Sequence, residues 1–190
     1  MTTTSTTSTT STMTTISDDA PRIRLLRTVT DAEIEGLAQV LADCVEGGAS
    51  VSFMHPLAAE RAIAFWRHVA EGAASGERAL LVAEDAEGIV GTVQVVLAQP
   101  ENQPHRAEVA KMLVHRRARR RGIGALLMQA AEAAAREHGK TLLVLDTSSA
   151  EAERLYARVG WTRVGSIPGF ALLPHGEPCA TTFFYRELAP

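Results

Sequence analysis

The run Arg119-Arg120-Arg121-Gly122-Ile123-Gly124 puts three guanidinium groups and two glycines between an apolar stretch that ends at Val114 and an amphipathic one that begins at Ile123. A tight turn of this kind leaves backbone N–H groups unpaired where a helix starts. Their partial positive charge, added to that of the arginines, makes a seat for a phosphate or pyrophosphate. Glycines let the turn tighten and the backbone approach an anion closely. A guanidinium grips phosphate oxygens with two parallel hydrogen bonds. The competing reading is a solvated basic helix start. Two carboxylates are the second chemical element. Glu108 opens one apolar strand and Asp146 closes another. A carboxylate so placed can take a proton as a general base. Equally, Glu108 could pair with Arg106, and Asp146 could cap the helix after it.

The rest of the composition narrows what the anion can be. The chain has 190 residues and is 46% hydrophobic, enough for one domain with a full core. Its net charge is −3, yet five arginines fall between Arg116 and Arg121, leaving −8 for the remainder. A basic spot on an acidic body suits a small phosphorylated ligand and argues against a nucleic-acid partner. The two cysteines, Cys44 and Cys179, stand far apart in no paired motif, which fits a reducing cytoplasm. His55, His68, His105, His115, His138 and His175 show no i, i+4 pairing, so no metal is expected. No apolar run approaches the ~18 residues of a membrane span, and no signal peptide is expected.

The elements that must position these groups follow from periodicity and turn chemistry. The Thr/Ser tract over 1–20 has almost nothing to bury and is expected to be disordered, with one domain over 21–190. A strand runs from Ile23 to Val29. Thr30 and Glu33 form a capping box, which opens a helix that Gly47-Gly48 ends. A Gly/Ser loop carries Phe53, Met54 and His55. Pro56 is placed at the first position of a second helix. A hairpin follows, Ala79–Ala83 and Ile89–Leu97, turning at Asp85–Gly88. Then come strand Val109–Val114, the arginine turn and helix Ile123–His138. Leu142–Asp146 is a wholly apolar strand closed by an acid, expected to be central and covered on both faces. Helix Ala150–Val159 and two strands, Trp161–Ile167 and Thr181–Leu188, complete the chain. The last two are joined by a loop, Pro168–Ala180. The order β-α-α-β-β-β-α-β-α-β-β describes an α/β domain with a mixed sheet.

Arg119-Arg120-Arg121-Gly122-Ile123-Gly124-Ala125 resembles the (Q/R)-x-x-G-x-(G/A) signature of the GCN5-related N-acetyltransferases, the GNAT family. Ala152 to Trp161, AERLYARVGW, resembles their second signature, A-x-x-L-Y-x-x-x-G-(F/W), and the strand Val109–Val114 is similar to their fourth strand. A narrower resemblance, through Gly47–Val51, Arg106–Val109, Leu145–Thr147, Arg163–Gly165 and Pro168–Phe170, is to the tabtoxin-resistance acetyltransferases, which acetylate the amine of a β-lactam amino acid. Ser149 departs from the Asn usual in the second signature, and the loop Asp146–Glu153 is shorter than in those enzymes.

The resemblance implies a twisted mixed sheet of about six to seven strands flanked by four helices, with splayed central parallel strands. It implies an N-acetyltransferase that moves an acetyl group from acetyl-CoA directly to a primary amine, without an acyl-enzyme. The acceptor would be a small molecule, such as an amino-acid-like toxin or antibiotic, and the protein would be a monomer or homodimer. The coenzyme would be held by Met112, Leu113, Val114, Arg119, Arg120, Arg121, Gly122, Ile123, Gly124, Ser149 and Ala152. Glu108 and Asp146 would be base candidates and Tyr156 the acid that protonates the leaving thiolate. Tyr156 could instead be a core tyrosine with its hydroxyl satisfied. An acyl-CoA sensor without turnover and a protein N-acetyltransferase remain alternatives.

Overall fold

Thr30 fixes where the first helix begins. Its hydroxyl accepts the Glu33 N–H at 3.3 Å, and Glu33 Oε2 accepts the Thr30 N–H at 2.8 Å. This is the reciprocal cap that the sequence predicts. The computed structural model describes residues 21–189, so the expectation of a disordered tail over 1–20 lies outside the described residues. Strand β1 (Arg22–Leu26) is shorter than expected and leads into α1 (Asp31–Glu46). Arg24 ties the two together, donating to Glu33 at 2.6 Å and to both oxygens of Glu84 at 2.9 and 2.6 Å.

The second helix, α2 (Ala59–Ala74), starts three residues later than Pro56 suggests. Pro56 follows a cis peptide bond and belongs to the loop. Strands β2 (Arg78–Asp85), β3 (Gly88–Val96) and β4 (Arg106–Val114) follow as an antiparallel meander. After a 3₁₀ turn at Arg116–Ala118 come α3 (Ile123–Glu137), β5 (Leu142–Thr147), α4 (Ala150–Arg158), β6 (Thr162–Leu172) and β7 (Pro178–Glu187). The seven strands lie in the order β1-β2-β3-β4-β5-β7-β6. Only β4 and β5 are parallel.

Helices cover both faces. On one, Leu37, Leu41, Trp66 and Val69 of α1 and α2 pack on Leu80, Val82 and Leu113. On the other, Leu127, Met128 and Ala131 of α3, with Tyr156 of α4, pack on Leu81, Val93, Val109, Leu143 and Leu145. Strand β2 alternates between the two apolar layers, Leu81 and Ala83 facing one and Leu80 and Val82 the other, as a doubly covered strand requires. Strand β5 departs from the expected double covering. Leu143 and Leu145 are buried under α3, but Asp146, on the opposite face, is exposed.

Strand β4 breaks the alternation. Thr92 faces Leu113 and Gln94 faces Ala110, so β4 carries one residue more than β3 between these pairs. The extra residue is a β-bulge, and Lys111 within it has φ +50°. The bulge reverses the faces. Ala107 and Val109 point to the α3 layer, whereas Leu113 points to the α1/α2 layer. Past the bulge, Met112 and Val114 take over the α3 side.

The long loop expected over Pro168–Ala180 is mostly strand. Strand β6 continues through Pro168-Gly169-Phe170 to Leu172, bulging between Ile167 and Ala171, and β7 begins at Pro178. The bulge lets Pro and Gly sit in a strand that reads as loop from composition. Thr30→Ala is expected to cost about 1 kcal/mol of stability. A urea titration should show a lower midpoint with an unchanged slope.

Candidate active site

Strands β4 and β5 pair through three positions only, Arg106 with Leu142, Ala107 with Leu143 and Glu108 with Val144. Beyond Glu108 they part. From Val109 to Val114 the β5-facing edge of β4 has no strand partner, which leaves backbone donors and acceptors open to an extended ligand arm. Met112, Leu113 and Val114 lie on this stretch. Leu113 buries its side chain under α1, so it can offer only backbone to a ligand.

The parting exposes one face of two strands. Leu143 and Leu145 point to α3, so Val144 and Asp146 point the other way. Ala107 and Val109 also point to α3, so Glu108 points toward the α1/α2 side, and the bulge brings Lys111 to that side as well. The electrostatics agree with this grouping. The charges of Asp146 and Glu108 both act on Lys111, and that of Asp146 acts on Tyr156. Neither structural alternative for the acids holds. Arg106 donates to Gln103 Oε1 at 2.8 Å rather than to Glu108. The cap of α4 is Ser149, whose hydroxyl accepts the Ala152 N–H at 3.3 Å, and not Asp146. Among the described residues neither acid forms an ion pair.

Tyr156 is buried among Trp161 and Phe184, at ring distances of 6.2 and 5.6 Å. Burial, with the negative charge of Asp146 added, pushes its pKa well above that of an ordinary phenol. The hydroxyl therefore keeps its proton at neutral pH. It has no hydrogen-bond partner among the described residues and is not sealed from solvent.

The anion turn lies at the far end of β4. Arg120 at φ +65° and Gly122 at φ +79° fold the chain back sharply before α3. The first amide with a carbonyl partner is that of Ala125, to Gly122 O at 3.0 Å. The N–H groups of Gly122, Ile123 and Gly124 precede it and have no acceptor among the described residues. Gly122 is required by its positive φ. Gly124 has a packing role as well, since a Cβ there would lie 2.8 Å from Leu155 Cδ2. It lets α4 pack closely on the start of α3.

The arginines divide their work. Arg116 donates to Asp43 from its backbone N–H at 2.8 Å and from Nε at 2.7 Å, and also to Glu46 at 2.5 Å. Arg117 grips Asp85 with bonds of 2.7 and 3.0 Å. These two anchor the turn to α1 and to the β2–β3 hairpin. Arg119 donates to Val114 O at 3.2 Å, and Arg121 lies 3.5 Å from Asp85. Arg120 is exposed, with no ion pair among the described residues. Ser149 and Ala152, expected at the coenzyme, spend the hydroxyl and the amide on capping α4.

Two segments meet over the cleft on the α1/α2 side. Ser50 Oγ donates to Leu172 O at 2.8 Å, the His55 N–H donates to Pro174 O at 2.9 Å, and the rings of His55 and His175 stand 4.8 Å apart. Phe53 packs edge-on against Phe65, and Phe170 against Phe183. Lys111 is the residue that the sequence reading missed. Its signal was a lone cation inside an apolar strand, three residues after Glu108. Cys44 is buried, its thiol 3.7 Å from Val114 O, and burial raises its pKa, so it holds no thiolate for covalent chemistry. Among the described residues no group of His, Cys, Asp and Glu is placed to hold a metal ion, and no helix is long and apolar enough to cross a membrane.

A family model described as an acetyltransferase (GNAT) domain matches residues 76–163, from the start of β2 to the start of β6. Solved structures share the fold over nearly the whole chain. A ribosomal-protein-alanine N-acetyltransferase from Brucella melitensis superposes with a TM-score of 0.74 at 22% identity, over 88% of this chain and 99% of its own. An N-acetyltransferase from Staphylococcus aureus Mu50 gives 0.74 at 16% identity, over 90% and 99%. A phosphinothricin acetyltransferase of the GNAT superfamily from Sinorhizobium meliloti, in complex with acetyl-CoA, gives 0.73 at 16% identity, over 89% of each chain. The chain therefore has the GNAT fold. By their names these structures include both protein and small-molecule acetyltransferases, so the fold does not choose the acceptor.

Arg117 holds the Asp85 carboxyl below its ordinary pKa, mainly through their hydrogen bonds. A depressed carboxylate contributes stability above its unfolded pKa of about 4 and loses it as pH falls through the folded value. Asp85→Asn should lower stability at pH 7 and flatten the decline below about pH 4, measured by denaturant titration across pH.

Proposed function

We propose that this GNAT acetyltransferase domain carries the acetyl group of acetyl-CoA directly to the primary amine of a small molecule. It is an acetyl-CoA-dependent N-acetyltransferase. The acceptor class and the residues that serve it are the inference. The observation that carries it is the parting of β4 and β5 after Glu108, with Glu108 and Asp146 unpaired on one face of the opening. The coenzyme pyrophosphate sits on the amides of Gly122, Ile123 and Gly124 with Arg120 beside it, and the pantetheine arm runs along the open edge of β4.

An ammonium ion is no nucleophile, so the acceptor must first lose a proton to Glu108 or Asp146, directly or through water. The free amine then attacks the thioester carbonyl, and a backbone N–H of the open β4 edge polarises that carbonyl. The carbon–sulfur bond breaks, Tyr156, kept protonated by burial, gives its proton to the leaving thiolate, and the resulting phenolate takes back the extra proton that the new amide nitrogen sheds, directly or through water. The raised pKa of Cys44 supports transfer without an acyl-enzyme. The seam between Ser50–His55 and the end of the β6–β7 hairpin supports a small acceptor, because a protein tail would have to displace it. The acceptor we infer is an amino-acid-like toxin of the β-lactam kind, modified in the cytoplasm.

Glu108→Gln combined with Asp146→Asn should lower turnover about a thousandfold in a thiol-release assay, while the coenzyme Kd stays within about threefold. Normal turnover in the double variant would remove both acids from the mechanism, and coenzyme binding without turnover of any amine in the wild type would mark a sensor. Arg120→Glu should weaken coenzyme binding about tenfold at low ionic strength, and the effect should shrink toward 1 M salt.

A further inference from the structure

We propose that Lys111 anchors a carboxylate on the acceptor, which makes the acceptor an amino acid or a close analogue rather than a plain amine or a polyamine. The inference rests on the acetyltransferase reading and names the substrate class of the same cleft.

Three observations carry it. First, the lysine is held in the cleft by the backbone. It occupies the β4 bulge at φ +50°, in a strand otherwise apolar from Val109 to Val114, and the bulge turns it to the side that Glu108 faces. Bulges commonly re-aim a side chain beside an active site. Second, its charge has no counter-ion in contact. Lys111 is half-buried, and its Nζ touches only Ser52 Oγ at 3.1 Å and the face of Phe65 at 5.8 Å. The charges of Glu108 and Asp146 act on it only from beyond contact distance, so its desolvation is not fully offset, and a bound carboxylate in contact would offset more of that cost. Third, its partner is strained as well. Ser52 has φ +74°, and the three non-glycine residues with positive φ among the described residues are Ser52, Lys111 and Arg120. Such strain gathers at ligand sites. Two of the three touch each other in this cleft, and the third stands at the anion turn.

The charges complement an amino-acid acceptor. Its amine meets Glu108 and Asp146. Its carboxylate meets Lys111 and the Ser52 hydroxyl, whose proton is free while its oxygen accepts from Lys111. A polyamine would set a second cation against Lys111, and like charges oppose binding.

The test is a calorimetric titration of the full chain with coenzyme A, then with a panel of N-acetyl-α-amino acids and their primary amides. The acids should bind at least tenfold more tightly than the amides. Lys111→Met should erase that difference, Lys111→Arg should keep part of it, and coenzyme affinity should be the same in all three proteins. In the thiol-release assay, Lys111→Met should raise KM for α-amino acids at least tenfold more than for their amides, with a smaller change in kcat. Equal binding of acids and amides by the wild type, equal weakening of both in Lys111→Met, or coenzyme binding with no N-acetylamino acid binding would overturn the proposal. Failure of coenzyme A itself to bind would overturn the acetyltransferase reading, and the inference with it.

Discussion

Two parallel strands that stop bonding after three residue pairs are the constraint on which this molecule depends. A continuous β4–β5 ladder would satisfy the backbone of both strands and leave a closed sheet. Their separation after Glu108 and Val144 creates an opening in the sheet itself. The bulge at Lys111 belongs to the same event, because it bends β4 and exchanges the faces of its side chains. One local irregularity therefore sets an unpaired edge of backbone, a line of polar side chains beside it, and an apolar underside packed on α3. Antiparallel pairing elsewhere bounds the opening, with β3 on one flank and β7 on the other.

Charge in the sequence and charge available to a ligand differ here. Arg116 and Arg117 read as part of a basic patch, yet both are committed to carboxylates of α1 and of the β2–β3 hairpin. Their role is to hold the turn in place. What the turn then offers an anion is mostly backbone, the amides that precede Ala125, with the exposed guanidinium of Arg120 alongside. Fixed amide dipoles on a clamped loop need no reorganisation when an anion arrives.

Much of this was legible in the sequence because the signals were local. The capping box at Thr30, the glycine turn at Gly122 and the element order depend on near neighbours in the chain, and all appear in the structure. The errors came from features decided at a distance. Pro56 has the chemistry of a helix start, but the chain there docks on Pro174 and Leu172, and the helix waits until Ala59. Pro168-Gly169 reads as loop, yet β7 holds the stretch as a bulged strand. The packing of Gly124 against Leu155 of another helix was likewise not visible in the local motif. Lys111 escaped notice because its importance depends on a bulge that alternation rules do not reveal. Ser149, which departs from the family's usual Asn, caps its own helix with its hydroxyl.

The seam between Ser50–His55 and the end of the β6–β7 hairpin divides the protein into two kinds of part. The anion turn is built from the β4–α3 connection, whose glycines and clamped arginines leave little freedom to vary. The roof on the α1/α2 side comes from a loop and a hairpin tip joined by a few polar contacts. Such a roof can be recut, residue by residue, without disturbing the floor beneath it. A scaffold divided in this way can change its clientele across evolution while its chemistry stays the same.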